Sequence, residues 1–434
     1  MAEIRPFKGI LYNSAKISGD YSKVVAPPYD VISEEERDEL YEKSPYNIIR
    51  LILGKAIEGD NETVNKYTRA KGLFNEWQEE GILATDEVES FYAYLQEYEY
   101  KGRKCGRIGF MGLMKIGESG GDALLPHEYT LAKPKEDRMN LMKQVESNLS
   151  PIFSLYDDPE GKLKEVLEKV ADESDPVIDV TVSGQRHVIW RLSDSSAIGE
   201  IVSWLDGKNL FIADGHHRYE VAKMYRDMRR KEEGYDGSAD YIMMYFTDMS
   251  DSDNLTVMGT HRVVKVMPTS NDDEVALKMQ EYFDVIEYST LQELMDALEN
   301  QMEEGNAFGF FGGNKYLLMK PKDREALLAL IKGDKTNDWK SLDVSVLHSA
   351  VYESILSVSG EEGNITYVKM PEEAEKLIKS GSHTAAFFLN PTRVAQMKAV
   401  AEHREMMPQK STYFYPKLLT GLVINKFEES KVKA

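Results

Sequence analysis

The sequence of 434 residues is poor in cysteine and has no long apolar segment. Its one cysteine, Cys105, cannot form an intramolecular disulfide, which is typical of proteins in a reducing compartment. No apolar run approaches the roughly 20 residues that a membrane-spanning helix needs. The first residues, 1–6, carry no apolar signal region. We therefore expect a soluble cytoplasmic protein with no membrane partner.

Positive charge is also scarce. The chain has 53 Lys and Arg against 74 Asp and Glu, which gives a formal net charge of −21 at pH 7. A field of that sign repels polyanions at long range, and this argues against nucleic acid as a partner. Because the average is acidic, a local cluster of cations is informative about binding.

The common nucleotide-binding loops are missing as well. The sequence contains no G-x-x-x-x-G-K-[ST] loop, no kinase glycine-rich loop with its catalytic motifs, and no G-x-G-x-x-G opening a helix. A phosphoryl donor must therefore be held by other groups.

Strand and helix patterns alternate along the chain, with no low-complexity segment and no clear internal repeat. We therefore predict an α/β (mixed α+β) fold. At this length two or three units are expected, and a change of pattern places a boundary near residue 268, which gives units of 1–268 and 269–434. The last third is predicted to be rich in βαβ units, with one helix over 341–357.

The most informative segment is FIADGHHRYE at residues 211–220. Apolar residues 210–213 predict the end of a buried strand, and Asp214-Gly215 predict a turn. Apolar positions after the turn have helical spacing, so we expect a helix to begin near His216. A strand that turns into a helix directs backbone N–H groups and the positive end of the helix dipole at one place. With His217 and Arg218 beside it, this turn predicts a site for a phosphorylated ligand with a metal ion.

A zinc site is the rival interpretation of this turn. Zinc ligands on a helix usually lie one turn apart, as in H-E-x-x-H. Adjacent residues point about 100° apart on a helix, so His216 and His217 do not easily face one ion. Cysteine ligands are also absent from the segment, and we disfavour zinc.

A proline-rich loop supplies two further candidate carboxylates. Pro27 and Pro28 stiffen the chain before Asp30, which could act on a substrate or form an Asx turn. Glu36 lies three residues after Ser33, and a helix capping box is the favoured interpretation of that pair. Glu36 is kept as an alternative catalytic carboxylate.

Arg50 lies inside the apolar run NIIRLI at 47–52. An unpaired charge there would cost several kcal/mol, so we expect an anionic partner. That partner could be a buried carboxylate or a ligand phosphate.

The segment from Leu125 to Arg138 combines His127 and Glu128 with cations that follow. His127 and Glu128 could supply a general base or a metal ligand, and Lys133 and Arg138 could bind phosphate. Lys135, Glu136 and Asp137 are expected to form a solvated helix face.

Two patches in the last 180 residues complete the candidates. The pair His261-Arg262 at a strand start is expected to be structural. The loop 407–417 has prolines at 408 and 416 and could close over an anion through Lys410, Ser411, Thr412 and Lys417. The alternative is an aromatic-packed loop.

These patches resemble, in order, the DUF1015 family of bacterial and archaeal proteins. The matching stretches cover the chain nearly end to end: Pro27–Ser33, Pro45–Leu51, Leu125–Arg138, Asn148–Tyr156, Asp214–Glu220, His383–Arg393 and Pro408–Thr420. The Asp-Gly-His-His-Arg run is also similar to the signature of the ParB/sulfiredoxin-like superfamily. That resemblance implies a ParB-like phosphate-binding core with a large insertion in 1–268, followed by an α/β domain in 269–434.

Within that superfamily the resemblance implies the chemistry of free-serine kinases, which convert L-serine to O-phospho-L-serine with ADP or inorganic pyrophosphate. It implies that Asp214 binds Mg²⁺ or orients the serine hydroxyl, and that the turn residues hold the donor phosphates. The turn residues are Gly215, His216, His217 and Arg218. Further expected phosphate ligands are His127, Lys133, Arg138, Arg50 and Lys410. The catalytic carboxylate is left open among Asp30, Glu36 and Glu128, and a homodimer is left open too. A nucleotide-binding switch protein and a phosphoserine hydrolase are the alternatives.

Overall fold

The structure is a computed structural model that describes residues 2–118, 123–130, 132–269, 271–361 and 363–427. Within these residues it confirms the mixed α/β fold class, with strands and helices alternating along the chain.

The strands are β1 Ile4–Arg5, β2 Ile10–Tyr12, β3 Leu83–Thr85, β4 Phe91–Tyr100, β5 Arg103–Lys115, β6 Leu124–Leu125, β7 Ser147–Asn148, β8 Ile152–Tyr156, β9 Ile178–Val182, β10 Gln185–Leu192, β11 Leu210–Asp214, β12 Tyr241–Asp248, β13 Thr256–Val257, β14 His261–Val264, β15 Phe283–Tyr288, β16 Phe308–Phe311, β17 Tyr316–Pro321, β18 Ile365–Val368, β19 Ala385–Phe388, β20 Phe414–Tyr415 and β21 Asn425–Lys426. The α-helices are α1 Glu34–Lys43, α2 Ile49–Ile52, α3 Lys66–Glu79, α4 Ala132–Val145, α5 Lys162–Glu173, α6 Ser195–Leu205, α7 His216–Arg229, α8 Asp272–Met279, α9 Leu291–Glu299, α10 Arg324–Leu328, α11 Asn337–Lys340, α12 Asp343–Ser345, α13 Pro371–Lys379 and α14 Val394–Glu402. Short 3₁₀ turns cover Tyr21–Lys23, Tyr29–Val31 and Ser238–Asp240, and a π-helix covers Val346–Leu356.

The chain folds as two compact units, and their boundaries differ from the expected one near residue 268. The first unit comprises the residues up to Leu125, Thr130–Thr256 and the segment from Pro416 onward. The second comprises Pro126–Tyr129 and Val257–Tyr415. The C-terminal segment therefore returns to the first unit, and a four-residue piece of the first half belongs to the second.

The first unit is built on a sheet in the order β6-β11-β8-β12-β5-β4-β10-β9, with β1 paired to β5. Two pairs are parallel, β11 with β6 and β12 with β8, and the other described pairs are antiparallel. The central strands are buried along most of their length. Their side chains form a core with α5 and α6, which includes Leu163 and Ile201.

The second unit contains a six-stranded sheet in the order β15-β17-β16-β19-β14-β18. All its described pairs are antiparallel. The connections β15–α9–β16 and β18–α13–β19 each join two parallel strands that have one antiparallel strand between them, β17 and β14 respectively. The expected βαβ units are therefore present in the split form, in which the connected strands are not neighbours.

Two elements differ from the sequence prediction. Helix α6 is not among the predicted elements, because its sequence SSAIGEIVSWL contains glycine and β-branched residues that weaken a helical pattern. The helix predicted over 341–357 is mostly a π-helix, Val346–Leu356. Apolar spacing alone does not separate a π-helix from an α-helix over so few turns. No described helix is long and apolar enough to span a bilayer.

The close approach of β5 to β12 requires a glycine at 109. A Cβ added to Gly109 would lie 2.3 Å from the Phe246 carbonyl oxygen and 2.6 Å from the Tyr245 ring. A Cβ at Gly106, on the same strand, would have Leu95 Cδ1 at 3.8 Å as its nearest neighbour. We predict that Gly109→Ala lowers the free energy of unfolding by about 3 kcal/mol, because backbone must move to admit the methyl group.

The control Gly106→Ala is expected to change stability by less than about 1 kcal/mol. Thermal and urea unfolding of both variants measure the difference. Equal stabilities would contradict the close contact between β5 and β12.

Candidate functional site

The predicted strand–turn–helix is present at β11 and α7. Strand β11 ends at Asp214, Gly215 has a φ of +98°, and α7 begins at His216. The register between β11 and β8 shifts after Ile212, so that Asp214 pairs with Phe153. This irregularity turns the end of the strand, and the first N–H groups of α7 follow at once. A helix N-terminus of this kind attracts anions through its N–H groups and its dipole.

Gly215 is required by both its backbone and its surroundings. A φ of +98° lies in the region that L side chains rarely adopt. A Cβ there would also lie 3.0 Å from Nε and from Nη2 of Arg218. The glycine therefore lets the Arg218 guanidinium lie against the turn.

Asp214 lies between two cations. Its Oδ1 accepts from the Lys417 ammonium at 2.6 Å, and its Oδ2 accepts from Arg218 Nη2 at 2.8 Å. Burial opposes ionisation of this carboxyl, but the charges of Lys417 and Arg218 outweigh it and hold the pKa well below the usual range. Asp214 is therefore ionised at neutral pH.

Arg218 connects the turn to the start of β8. Its Nη1 donates to Ser150 Oγ at 3.2 Å and to the Pro151 carbonyl. The side chain is 14% exposed. The three partners fix the plane of the guanidinium, which still reaches the pocket described below.

Arg138 supplies a second guanidinium from α4. Its carbon Cζ lies 4.0 Å from the centre of the Tyr29 ring, and its Nε donates to Asp137 at 2.9 Å. Asp137 also accepts from Lys66 at 2.7 Å and from the Tyr67 hydroxyl at 2.8 Å. Burial opposes ionisation here too, but Arg138 and the other donors lower the pKa of Asp137 to about 2. Asp137 is therefore part of a network, and the solvated face expected for it is wrong.

A pocket in the first unit has both guanidinium groups in its wall. One part of its lining is apolar, from α2, α4, α7 and β12, and the other is polar, from the chain before β8. The lining residues are Tyr29, Ile52, Arg138, Leu141, Met142, Ser147, Asn148, Leu149, Ser150, Arg218, Val221, Ile242 and Thr420.

Tyr29 lines this pocket, and Asp30 is the next residue in the same 3₁₀ turn. Burial raises the pKa of the Tyr29 phenol, and the charges that also act on it belong to Asp30, Arg138, Arg218 and Asp214. Asp30 is exposed in the 3₁₀ turn Tyr29–Val31. Asp30 is thus the candidate catalytic carboxylate that directly follows a residue of the pocket wall.

The two histidines of the turn differ in environment. His216 is 8% exposed, and burial lowers its pKa to about 3 although the Asp214 charge opposes this. His216 is therefore neutral at pH 7 and can donate one N–H, but it contributes no positive charge. His217 is half-buried. Among the described residues, no group of three His, Cys, Asp or Glu side chains has the spacing of a metal site.

Three predicted site residues of the first unit have other surroundings. Glu36 is exposed, and its carboxylate accepts from the Ser33 N–H at 2.8 Å, which completes the capping box of α1. Arg50 donates to the carbonyls of Tyr41 at 2.6 Å and Ser44 at 3.4 Å. Carbonyl oxygens at the end of α1 accept from this half-buried cation, and no carboxylate is among its described partners, whereas the expected phosphate partner stays a prediction. Lys133 is exposed near the start of α4.

The remaining predicted residues belong to the second unit. Glu128 accepts from the N–H groups of Ser411 at 3.0 Å and Thr412 at 3.1 Å. His127 is fully buried, with Nε2 2.9 Å from Thr412 Oγ1. Both side chains thus anchor the loop that contains Lys410, which is exposed with a φ of +55°.

Sequence reasoning did not pair Lys417 with Asp214, and it left Tyr29, Asn148 and Ser150 out of the site. The two members of the ion pair are 203 residues apart, so that no local pattern joins them. A usable signal was the position of Lys417 directly after Pro416, because proline restricts the chain on both sides.

We predict that Gly215→Ala weakens the binding of inorganic pyrophosphate at least tenfold, because the methyl group would displace the Arg218 guanidinium. Gly161→Ala is the matched control. Gly161 also precedes a helix, α5, with a φ of +69°, but a Cβ there would meet nothing within 4 Å. Isothermal titration calorimetry measures both affinities, and an equal loss in the two variants would assign the effect to backbone strain alone.

Comparisons with known proteins place the chain in a family. A free serine kinase in complex with AMP is 15% identical, with a TM-score of 0.35, and the match covers 70% of this chain and 86% of that chain. A conserved hypothetical protein from Pyrococcus furiosus is 14% identical, with a TM-score of 0.34 and coverage of 70% and 91%. SbnI with a C-terminal truncation, from Staphylococcus aureus, is 10% identical, with a TM-score of 0.36 and coverage of 71% and 85%. No curated protein matches the chain. The model of DUF1015, a protein of unknown function, matches residues 4–345, and the chain therefore belongs to the DUF1015 family.

Proposed function

We propose that this protein is a phosphotransferase that phosphorylates the hydroxyl of free L-serine, with inorganic pyrophosphate as the donor. The observation that carries the proposal is the excess of fixed positive charge at the N-terminus of α7. There Lys417 and Arg218 flank one ionised carboxylate, and Arg138 lines the same pocket as Arg218. The identity of the acceptor comes from the sequence resemblance to free-serine kinases.

The reaction needs little covalent chemistry from the protein. The serine hydroxyl oxygen attacks one phosphorus of pyrophosphate, the bridging P–O bond breaks, and phosphate leaves with the electrons of that bond. Charge spread over the transferred group is stabilised by positioned cations and N–H groups. Arg218, Arg138, Lys417, the neutral His216 and the N-terminal N–H groups of α7 are the groups available for this. His217 is a further candidate on the same turn.

Asp214 and Asp30 are the carboxylates for the acceptor side. We assign Asp214 to orienting the serine hydroxyl and Asp30, which directly follows the pocket residue Tyr29, to receiving its proton. Asp214 is poorly suited to the second role because its pKa is well below the usual range.

Mg²⁺ would enter this site with the donor. Mg²⁺ is commonly held by one or two carboxylates together with substrate phosphates, and not by a complete protein cage. The donor set fits that mode, since each oxygen of Asp214 accepts one hydrogen bond, from Lys417 or from Arg218, and keeps a second lone pair that could bind the ion. When bound, Mg²⁺ would neutralise charge on the phosphates.

A second candidate function is nucleotide binding without transfer to serine. The apolar wall of the pocket favours it, because Ile52, Leu141, Met142 and Val221 offer contacts that bare pyrophosphate does not use. The same wall would also suit a nucleotide donor.

The first experiment is to incubate the purified protein and Mg²⁺ with L-serine and one donor, pyrophosphate, ADP or ATP, and to follow products by phosphorus NMR. We expect O-phospho-L-serine and phosphate with pyrophosphate. Phosphoserine with ADP or ATP alone would overturn the donor and keep the reaction class. No phosphoserine with any donor, together with tight nucleotide binding, would favour the second function. Release of phosphate from phosphoserine without an acceptor would indicate a hydrolase.

We predict that Asp214→Asn lowers turnover at least 100-fold while pyrophosphate binds at least as tightly as to the wild type. The amide no longer neutralises Lys417 and Arg218, so that both cations are available to the anion, but the acceptor loses its orienting carboxylate. Asp227→Asn on α7 is the control, because Asp227 is 58% exposed and pairs with Arg226. Turnover within a factor of ten of the wild type would remove Asp214 from the catalytic site.

A further inference from the structure

Four polar side chains are buried side by side in the sheet of the first unit. Gln96 on β4 pairs in register with Arg107 on β5 and with His187 on β10. Tyr94 lies two residues before Gln96 and thus on the same face of β4. Arg107 is 2% exposed, and the other three are fully buried. Burial of such groups costs free energy unless they form hydrogen bonds, so that their partners show what they contribute.

Two of these side chains, Arg107 and Gln96, bind main-chain carbonyls of the returning C-terminal segment. Arg107 Nη2 donates to the Pro416 carbonyl at 2.6 Å and to Gln96 Oε1. Gln96 Nε2 donates to the Lys417 carbonyl at 3.1 Å. Arg107 and Gln96 therefore bind the two carbonyls that lie directly before and directly after the Cα atom of Lys417.

The other two members extend the same contact. The Tyr94 hydroxyl hydrogen-bonds the main chain of Leu419 and lies 2.7 Å from Nδ1 of His187. Burial, together with the nearby charge of Arg107, lowers the pKa of His187 to about 4, so that its ring is neutral. The segment 416–419 is thus fixed at three main-chain groups by side chains from the middle of the sheet.

We propose that Gln96 and Arg107 are positioning residues for the phosphate site, which act by holding the Lys417 ammonium on Asp214. Lysine has a flexible four-carbon side chain, and fixing its main chain on both sides reduces the conformations that compete with the 2.6 Å contact. Neither side chain contacts Asp214 in the described hydrogen bonds, so that both act through Lys417. The catalytic consequence rests on the proposed function, whereas the positioning of Lys417 can be tested without it.

The variant that tests this is Gln96→Glu. The carboxylate still accepts from Arg107, so that the buried guanidinium keeps its partner, but it has no N–H to donate to the Lys417 carbonyl. Gln78→Glu on α3 is the matched control. Gln78 likewise accepts from a cation, Lys426 at 3.5 Å, and donates through Nε2 to a carbonyl, that of Phe74 at 2.9 Å.

The first readout is the rate at which an amine reagent modifies Lys417, followed by mass spectrometry of the full-length protein after digestion. Lys417 is 10% exposed and paired to Asp214, so that slow modification is expected in the wild type. We expect Gln96→Glu to raise the rate at least fivefold and Gln78→Glu to leave it unchanged. An unchanged rate in a folded Gln96→Glu protein would overturn the proposal.

The second readout is a double-mutant cycle with Lys417→Met, in which the dissociation constant of pyrophosphate is measured. If Gln96 acts through Lys417, Gln96→Glu weakens binding about tenfold in the wild-type background and has no effect when Lys417 is already methionine. Equal effects in both backgrounds would overturn the proposal. A wild-type protein that binds no pyrophosphate would count against the proposed function, and the modification rates would still decide the positioning of Lys417.

Discussion

The proposed phosphate site depends on one carboxylate held between two cations. Lys417 and Arg218 are only 10% and 14% exposed, and two such charges close together would be costly to bury without an anion. Asp214 reduces that cost in the absence of ligand and still leaves one excess positive charge. In a chain of net charge −21, this local excess of positive charge favours an anion at the N-terminus of α7, against the field of the rest of the chain. A carboxylate in this place therefore lets the protein keep an anion site without a bound anion.

Arg218 and Lys417 supply fixed positive charge at the turn, and the His216 imidazole does not. His216 is neutral because burial lowers its pKa to about 3. A neutral imidazole has one N–H donor and one acceptor nitrogen, so that its contribution is directional. The turn thus combines a neutral hydrogen-bond donor with fixed cations. Because His216 is neutral over this range, its titration does not change the charge of the turn between pH 6 and 8.

The sequence predicted the parts of the site that are local and missed the parts that are not. The order of β11, Gly215 and α7 follows from apolar spacing and from a glycine at a positive φ. The contact of Lys417 with Asp214 depends on the return of the C-terminal segment to the first unit, which no periodicity encodes. Arg50 shows a different limit. A cation in an apolar run needs acceptors, but they need not be anions: the carbonyls of Tyr41 and Ser44 at the end of α1 accept from this half-buried group. Similarly, the second unit has the predicted alternation of strands and helices, but the pairing of β17 between β15 and β16 could not be read from it.

The acidity of Asp214 bears on the kind of transition state that this site suits. A carboxylate whose pKa is far below the usual range has little tendency to take a proton from an alcohol, so that early deprotonation of the hydroxyl is not what Asp214 supports. Phosphoryl transfer with a loose transition state has little need of it, because the bond to the leaving group is largely broken before the nucleophile carries much charge. What such a transition state does need is fixed positive charge around the equatorial oxygens and a nucleophile aligned with the breaking bond. In the proposed reaction the ionised Asp214 serves both needs: it holds Lys417 and Arg218 in place before the anion arrives, and it offers the acceptor hydroxyl a hydrogen-bond acceptor. The low pKa of Asp214 is thus a consequence of the two cations that the proposed reaction uses.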